Sequence, residues 1–249
     1  MKIKLTVNKK YIAMNYAIIA AGEGSRLAQE GVKKPKPLVE LCGEPMIGRL
    51  INIFVRCNAE SVSVIVNEEM TEVQDYLKQL KATLPVPLNI VVKSTPSSMH
   101  SFYELTRVMK PGKFCLTTVD TIFKEPDFAR YVAAFEADTT HDGMMAVTPF
   151  IEDEKPLYVD VDPAMEIRTF RDEAYEGAKY ISGGIYSLTD ASWRVLEHCI
   201  ASGVSRMRNF QRALVENGLK LKAYSIDKII DVDHAGDIEV AERFISGQD

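Results

Sequence analysis

The feature that most constrains this chain is an alternation between two hydrophobic periods. Tyr16-Ala17-Ile18-Ile19-Ala20 is a short continuous apolar run closed by Gly22, the pattern of a strand buried on both faces. From Pro45 onward, Met46, Ile47, Leu50, Ile51, Phe54 and Val55 recur at helical spacing, with the proline at a tolerated first turn. The rhythm then repeats, predicting strands at residues 61–66, 88–92 and 114–119 and helices at 68–84 and about 102–109. Strands separated by helices favour parallel pairing, because a parallel neighbour needs a long crossover. An α/β fold with a mainly parallel sheet follows.

Beyond residue 140 the pattern changes. Residues 143–148, 156–161, 165–170 and 180–188 read as strands with short connections, so this part of the sheet is expected to be mixed or antiparallel. Helices are predicted around 190–200 and 207–217, then a strand at 219–226 and a closing helix at 235–244. No repeat, low-complexity tract or Gly/Ser-rich linker marks a boundary. Residues 14–249 are therefore expected to form a single domain, with residues 1–13 as an N-terminal extension. Met1 and Met14 both remain open as the natural start.

Lys+Arg 30 against Asp+Glu 35 gives a net charge of −5, which does not provide the basic face of a general nucleic-acid binder. No apolar run approaches the roughly 18 residues of a membrane span. The basic N-terminus lacks the apolar core of a signal peptide. Four scattered cysteines, with no C-x-x-C, exclude a zinc ribbon and argue against a disulfide scaffold. A soluble protein of the cytoplasm is expected, with no nucleic-acid or membrane partner and with room for homo-oligomer formation.

Chemistry enters with Ala20-Ala21-Gly22-Glu23-Gly24-Ser25-Arg26-Leu27, directly after the first strand. Glycines two apart let the backbone turn sharply and gather its N–H groups into an anion-attracting concavity, to which Arg26 adds a positive fork. A dinucleotide fingerprint is not met, because Leu27 stands where its third glycine belongs, and no Walker lysine follows. In Lys33-Lys34-Pro35-Lys36-Pro37-Leu38, two prolines hold Lys36 in restricted backbone on the loop after the same strand. A second cation can thus reach the same phosphates.

The paired motif resembles the signature of the nucleotidyltransferases that make nucleotide-sugars and related activated alcohols, including sugar-1-phosphate nucleotidylyltransferases and phosphocholine cytidylyltransferases. The resemblance implies a Rossmann-like three-layer α/β/α fold with a mixed, mainly parallel sheet, an NTP substrate, a phosphorylated acceptor, Mg²⁺ and release of pyrophosphate. It implies a nucleotide-binding half at about 14–140 and an acceptor-binding half at about 141–249. By matching positions, Ala20, Ala21, Gly22, Glu23, Gly24 and Ser25 would line the nucleotide, while Arg26 and Lys36 would act on the attacked and departing phosphates. Ser98, in the place of a Gly-Thr-Ala stretch, would border the base, although Met99 and His100 depart from the sugar-enzyme pattern. Molybdopterin guanylyltransferases are a weaker match, since they usually have a shorter path from arginine to lysine and no Pro-Lys-Pro.

Asp120 ends an apolar strand, and the carboxyl ends of parallel strands line ligand crevices. The resemblance makes it a metal ligand, with Val119 replacing a common glycine. Alternation puts Asp231 and Asp233 on one side of an extended segment, whereas Asp237 falls in the first turn of a helix. The second metal carboxylate maps to Asp231 or Asp233, and His234 is taken as a loop residue because Mg²⁺ prefers oxygen. Ser182-Gly183-Gly184-Ile185-Tyr186 resembles the acceptor-bordering strand, which implicates Gly183 and Gly184. Glu173 stands where sugar enzymes often carry a phosphate-holding lysine, so Arg168, Arg171 or Lys179 would have to replace it, and Lys179 is the residue assigned here.

The activity implied is transfer of NMP from an NTP to a phosphorylated acceptor. A sugar-1-phosphate giving an NDP-sugar comes first, with CTP and phosphocholine or a similar alcohol phosphate as the alternative. A non-catalytic nucleotide-sensing homologue is the second alternative. It has little need of Arg26, Lys36, Asp120 and the acidic turn together.

Overall fold

The structure, a computed structural model, describes residues 14–151 and 154–248; the expected N-terminal extension lies outside the described residues. The strands are β1 (Met14–Ala20), β2 (Glu40–Leu41), β3 (Glu44–Pro45), β4 (Ala59–Val66), β5 (Leu88–Val92), β6 (Phe114–Thr118) and β7 (Thr121–Ile122). They continue as β8 (Gly143–Thr148), β9 (Tyr158–Val161), β10 (Ile167–Arg171), β11 (Tyr180–Leu188), β12 (Leu221–Ser225) and β13 (Ile230–Asp231). The helices are α1 (Ser25–Gln29), α2 (Met46–Arg56), α3 (Thr71–Lys81), α4 (Ser98–Thr106), α5 (Glu125–Ala137), α6 (Ala191–Ala201), α7 (Met207–Glu216) and α8 (Ala235–Ser246).

Parallel pairs β1–β4, β4–β5 and β1–β6 form one half of the main sheet. The long β11 then runs antiparallel between β6 and β8, β12 joins β8 in parallel, and the β9–β10 hairpin extends the start of β11. The sheet is therefore mixed and mainly parallel in its first half. Strand β1 has its successors β4 and β5 on one side and β6 on the other. The chain reverses its direction of travel across the sheet there, so the loops after β1 and β6 splay apart and leave a crevice at their carboxyl ends.

Side-chain alternation along β1 divides the interior into two cores. Tyr16, Ile18 and Ala20 pack with Ile47, Phe54, Leu77, Phe128 and Phe244 from α2, α3, α5 and α8. Ala17 and Ile19 face the other way, toward Phe102, Leu196 and Phe210 from α4, α6 and α7. Every residue of β1 is buried, as a continuous apolar strand between two helical layers requires. The result is the three-layer α/β/α architecture.

Several boundaries differ from expectation. Helix α3 is shorter than residues 68–84, and α4 begins at Ser98 rather than near Phe102. Helix α5 was not anticipated, although Phe128, Tyr131, Val132 and Phe135 lie at helical spacing after Glu125-Pro126, an acidic and proline-bearing first turn. The two-residue ribbon β7–β13 carries no periodicity and was invisible to pattern.

Helix α5 also closes the sheet chemically. The fully buried Tyr131 hydroxyl donates to the Met144 carbonyl (2.6 Å) and accepts the Ser187 N–H (2.9 Å), joining helix, β8 and β11. Tyr131→Phe keeps the ring and strands both backbone groups. It is expected to cost about 1–3 kcal/mol in chemical denaturation.

Candidate active site

The crevice at the switch point is a cleft of about 570 Å³. Its walls are the turn from Ala20 to Arg26 after β1, Asn67 after β4, Ser94–Ser98 after β5, Thr118–Asp120 after β6, and Lys36 and Asp233. All of the nucleotide-side residues expected from the sequence, Ala20, Ala21, Gly22, Glu23, Gly24, Ser25 and Ser98, lie on its surface, together with Arg26, Lys36 and Asp120.

The glycine turn and the proline-clamped lysine are coupled sterically. Gly24 has φ 63°, a left-handed conformation that glycine adopts without penalty. A Cβ there would also lie 2.8 Å from Lys36 Cβ, so the bare backbone lets the lysine stem cross the turn. The short α1 then starts at Ser25 and carries Arg26. Lys36 opens a single 3₁₀ turn, with Pro35 and Pro37 on either side.

Lys36 is the centre of the charge arrangement. Its Nζ, on a side chain only 10% exposed, contacts Asp120 Oδ2 and donates to Asp233 Oδ1 at 2.6 Å. Arg26 Nη1 donates to the other oxygen of Asp233 at 2.9 Å. Burial pulls the Lys36 pKa down, but Asp120 and Asp233 outweigh it and hold the ammonium above the ordinary lysine value. Burial likewise acts to raise Asp233, and Lys36, Arg26 and His234 overcome it, keeping that carboxyl below its usual range. Lys36 and Asp233 are therefore both ionised near neutral pH.

Residues more than a hundred positions apart meet here because of the β7–β13 ribbon. Ile230 and Asp231 pair antiparallel with Ile122 and Thr121, and the Val232 N–H donates to the Asp120 carbonyl at 3.1 Å. The acidic turn is thereby laid against the end of β6. Gly184 permits this contact: its φ is 71°, and a Cβ would sit 2.7 Å from Thr121 Oγ1. Gly183 is open to a softer neighbour, the end of the Ile229 side chain.

Two further carboxylates fix the turn. Asp237 Oδ2 accepts the N–H groups of Asp233 (2.9 Å) and His234 (2.7 Å) at the start of α8. Glu30 takes the His234 ring through Nδ1 and the Ala235 N–H, each at 2.6 Å. Asp237 thus sits in the first helical turn as expected, and His234, read as a loop residue, caps that helix, while Glu30 gave no sequence signal. Asn67 also escaped sequence reasoning. It accepts from Ser94 Oγ at 3.0 Å and donates to the Ala21 carbonyl at 3.5 Å, knitting three loops of the cleft. Its signal was its position one residue past a parallel strand.

On the other side of Asp233 lies a second cavity of about 340 Å³, lined among others by Lys155, Gly183, Arg208, Asp231 and His234. A third, of about 270 Å³, shares Ser98, Thr118 and Asp120 with the main cleft and is closed by Gly184, Asp231, Arg206, Arg208 and Gln211. Asp231 thus lies on the two side cavities, while Asp233 joins Asp120 on Lys36. Lys179 departs from expectation. Its Nζ lies over the Tyr180 ring at 5.1 Å, and it lines none of these three cavities, because β11 directs the adjacent Tyr180 into the core. Arg171 is likewise drawn aside, to Asp160. The basic lining of the third cavity comes instead from Arg208 of α7 and from Arg206 just before it.

Asp237→Ala is expected to cost about 0.5–2 kcal/mol of stability, the range of a lost helix cap, measured by urea unfolding.

Comparison with known proteins agrees with this fold. A 2-aminoethylphosphonate cytidylyltransferase of Lancefieldella rimae is 30% identical over 117 residues, 45% of this chain and 44% of that protein. The chain spans about half the length of the curated relatives it matches. The inositol-1-phosphate CTP transferase from T. maritima superposes with a TM-score of 0.78 at 16% identity, covering 93% of this chain and 96% of that one. A UDP-glucose pyrophosphorylase complexed with UDP-glucose gives 0.77 at 14% identity, covering 96% of this chain and all (100%) of that one. These two likenesses establish the fold. Residues 16–185 match the family described as the MobA-like NTP transferase domain, and the chain belongs to that family of nucleotidyltransferases.

Proposed function

We propose that this protein transfers a nucleoside monophosphate from an NTP to the phosphate of a small acceptor, releasing pyrophosphate. The observation that carries the reading is the Lys36 ammonium, held between Asp120 and Asp233 with Arg26 alongside, at the mouth of a glycine turn. The triphosphate lies along Gly22 and Gly24, and Lys36 and Arg26 turn from their carboxylates to its phosphates. An acceptor phosphate oxygen attacks the α-phosphorus, the α–β bridging bond breaks, and pyrophosphate carries away the electron pair. A phosphate monoester is already ionised near neutral pH, its second pKa being about 6, so no general base is required. Catalysis rests on alignment and charge neutralisation.

The donor set fits Mg²⁺. Asp120 and Asp233 are hard oxygen ligands that already share one cation. Among the described residues no group of three or more His, Cys, Asp or Glu gathers to hold a metal, so the rest of the coordination sphere falls to substrate phosphates and water. When bound, the ion neutralises charge on the transferring phosphoryl group. Asp233 is the preferred partner of Asp120, and Asp231 faces the acceptor.

A sugar-1-phosphate is the acceptor placed first, supported by the likeness across nearly the whole chain to the UDP-glucose enzyme's fold. A specific observation favours the second reading, an amino-alcohol phosphate or phosphonate. Asp231 and Glu154 line the adjoining cavity and would suit an ammonium group, and the matched relative from L. rimae is named for 2-aminoethylphosphonate.

A pyrophosphate-release screen tests both, pairing each common ribonucleoside triphosphate with sugar-1-phosphates, inositol-1-phosphate, phosphocholine and 2-aminoethylphosphonate, with Mg²⁺ and with EDTA. With the productive pair, Lys36→Ala and Arg26→Ala are each expected to lose about 100-fold or more in turnover while remaining folded. Asp120→Asn is expected to lose the Mg²⁺-dependent rate. Turnover within a few-fold of wild type in Lys36→Ala would refute the assignment.

A further inference from the structure

The cavity closed by α7 poses a problem that the motifs leave open. It opens onto the main cleft through Ser98, Thr118 and Asp120, where an acceptor's phosphate must arrive to attack, yet Glu173 supplies no cation and Lys179 lies elsewhere. Two arginines line it. Arg208 is spoken for, with Nη1 on Asp172 at 2.6 Å and Nη2 on the Lys155 carbonyl at 2.9 Å. Arg206 has no side-chain partner among the described residues.

Arg206 also has an unusual backbone. Its φ of 73° and ψ of 139° lie where side-chain-bearing residues are disfavoured and glycine is at ease. Such strain is retained where surrounding structure holds it, and its N–H is held by Ser97 Oγ at 3.3 Å, on the rim of the nucleotide cleft. Facing the same cavity is Gln211, 2% exposed. Its Oε1 accepts from Ser182 Oγ at 3.0 Å, leaving an amide nitrogen with no partner among the described residues. A guanidinium and the uncommitted amide nitrogen of a buried glutamine on one small cavity are the chemistry of an oxyanion site.

We propose that Arg206 and Gln211 form the subsite for the phosphate or phosphonate group of the acceptor, and that Arg206 takes the part of the lysine missing at Glu173. This rests on the nucleotidyl-transfer reading. The bound anion lies beside Asp120 and Ser98, so one of its oxygens faces the α-phosphorus, and Arg208 forms the fixed wall between this cavity and the one that takes the rest of the acceptor.

Calorimetric titration with methylphosphonate tests the subsite without turnover, in wild type, Arg206→Gln, Arg206→Gly, Lys179→Gln and Arg26→Gln. Binding is expected to weaken about tenfold or more in both Arg206 variants, the loss of one charged hydrogen-bond partner, and to persist in the other two. Arg206→Gly is expected to melt no lower than wild type, since glycine accepts this backbone, which separates lost binding from lost folding. With a productive substrate pair, the acceptor KM rises by a similar factor in Arg206→Gln while the NTP KM stays within a few-fold. No measurable wild-type binding, or binding lost in Arg26→Gln and kept in Arg206→Gln, overturns the subsite. If methylphosphonate binding depends on Arg206 but no acceptor yields pyrophosphate, the subsite stands and the transfer reading fails.

Discussion

One ammonium group organises this molecule. Lys36 gathers Asp120 from the end of β6 and Asp233 from the turn before α8, two carboxylates that would otherwise repel across a narrow cleft. Taking the Lys36 ammonium largely out of water costs several kcal/mol unless it finds partners, and here it finds two carboxylates. Arg26 takes the second oxygen of Asp233, and the backbone of Asp233 is fixed by Asp237. The arrangement has two acids facing two bases, so an incoming polyanion and its counter-cation can exchange with partners already in place. That is preorganisation in the electrostatic sense: the charges are placed before substrate arrives and need little reorganisation during reaction.

The scaffold makes this economical. The switch point beside β1 provides the crevice, Gly24 lets the Lys36 stem cross, and the short β7–β13 ribbon carries the acidic turn to Asp120. Glu30 ties the end of α1, which bears Arg26, to the start of α8. The cations and the carboxylates are thereby coupled through backbone as well as through charge. The small cavity beside Asp120 is built differently, from α7 and the strained residue that precedes it.

Much of this was legible in the sequence, and the reason is periodicity. The continuous apolar run of β1 and the helical spacing of α2 state the layer each occupies, and the strand-then-helix rhythm states the parallel half of the sheet. The glycine turn and the Pro-Lys-Pro segment pointed to the cleft, and at Gly24 both the left-handed backbone and the close Lys36 stem require a glycine. What was missed has no local signature. A two-residue ribbon shows no period, Glu30 and Asn67 act across long sequence separations, and Arg206 is an ordinary arginine until its φ is known. Lys179, the expected substitute for a missing lysine, precedes β11 and lies over the Tyr180 ring instead. Alternation alone puts Asp231 and Asp233 on one side; in the structure Asp233 meets Lys36 while Asp231 lines the two side cavities.

We propose that Asp120 and Asp233 hold a metal only when phosphate oxygens complete its shell, since Lys36 and Arg26 together already balance the two carboxylates. Mn²⁺, followed by its effect on water-proton relaxation, measures this directly in the protein alone and with a nucleoside triphosphate present. Weak binding to the protein alone is predicted, tightening about tenfold or more with nucleotide and losing that gain in Asp120→Asn. Tight Mn²⁺ binding to the protein alone, indifferent to nucleotide and to Asp120→Asn, would contradict the account.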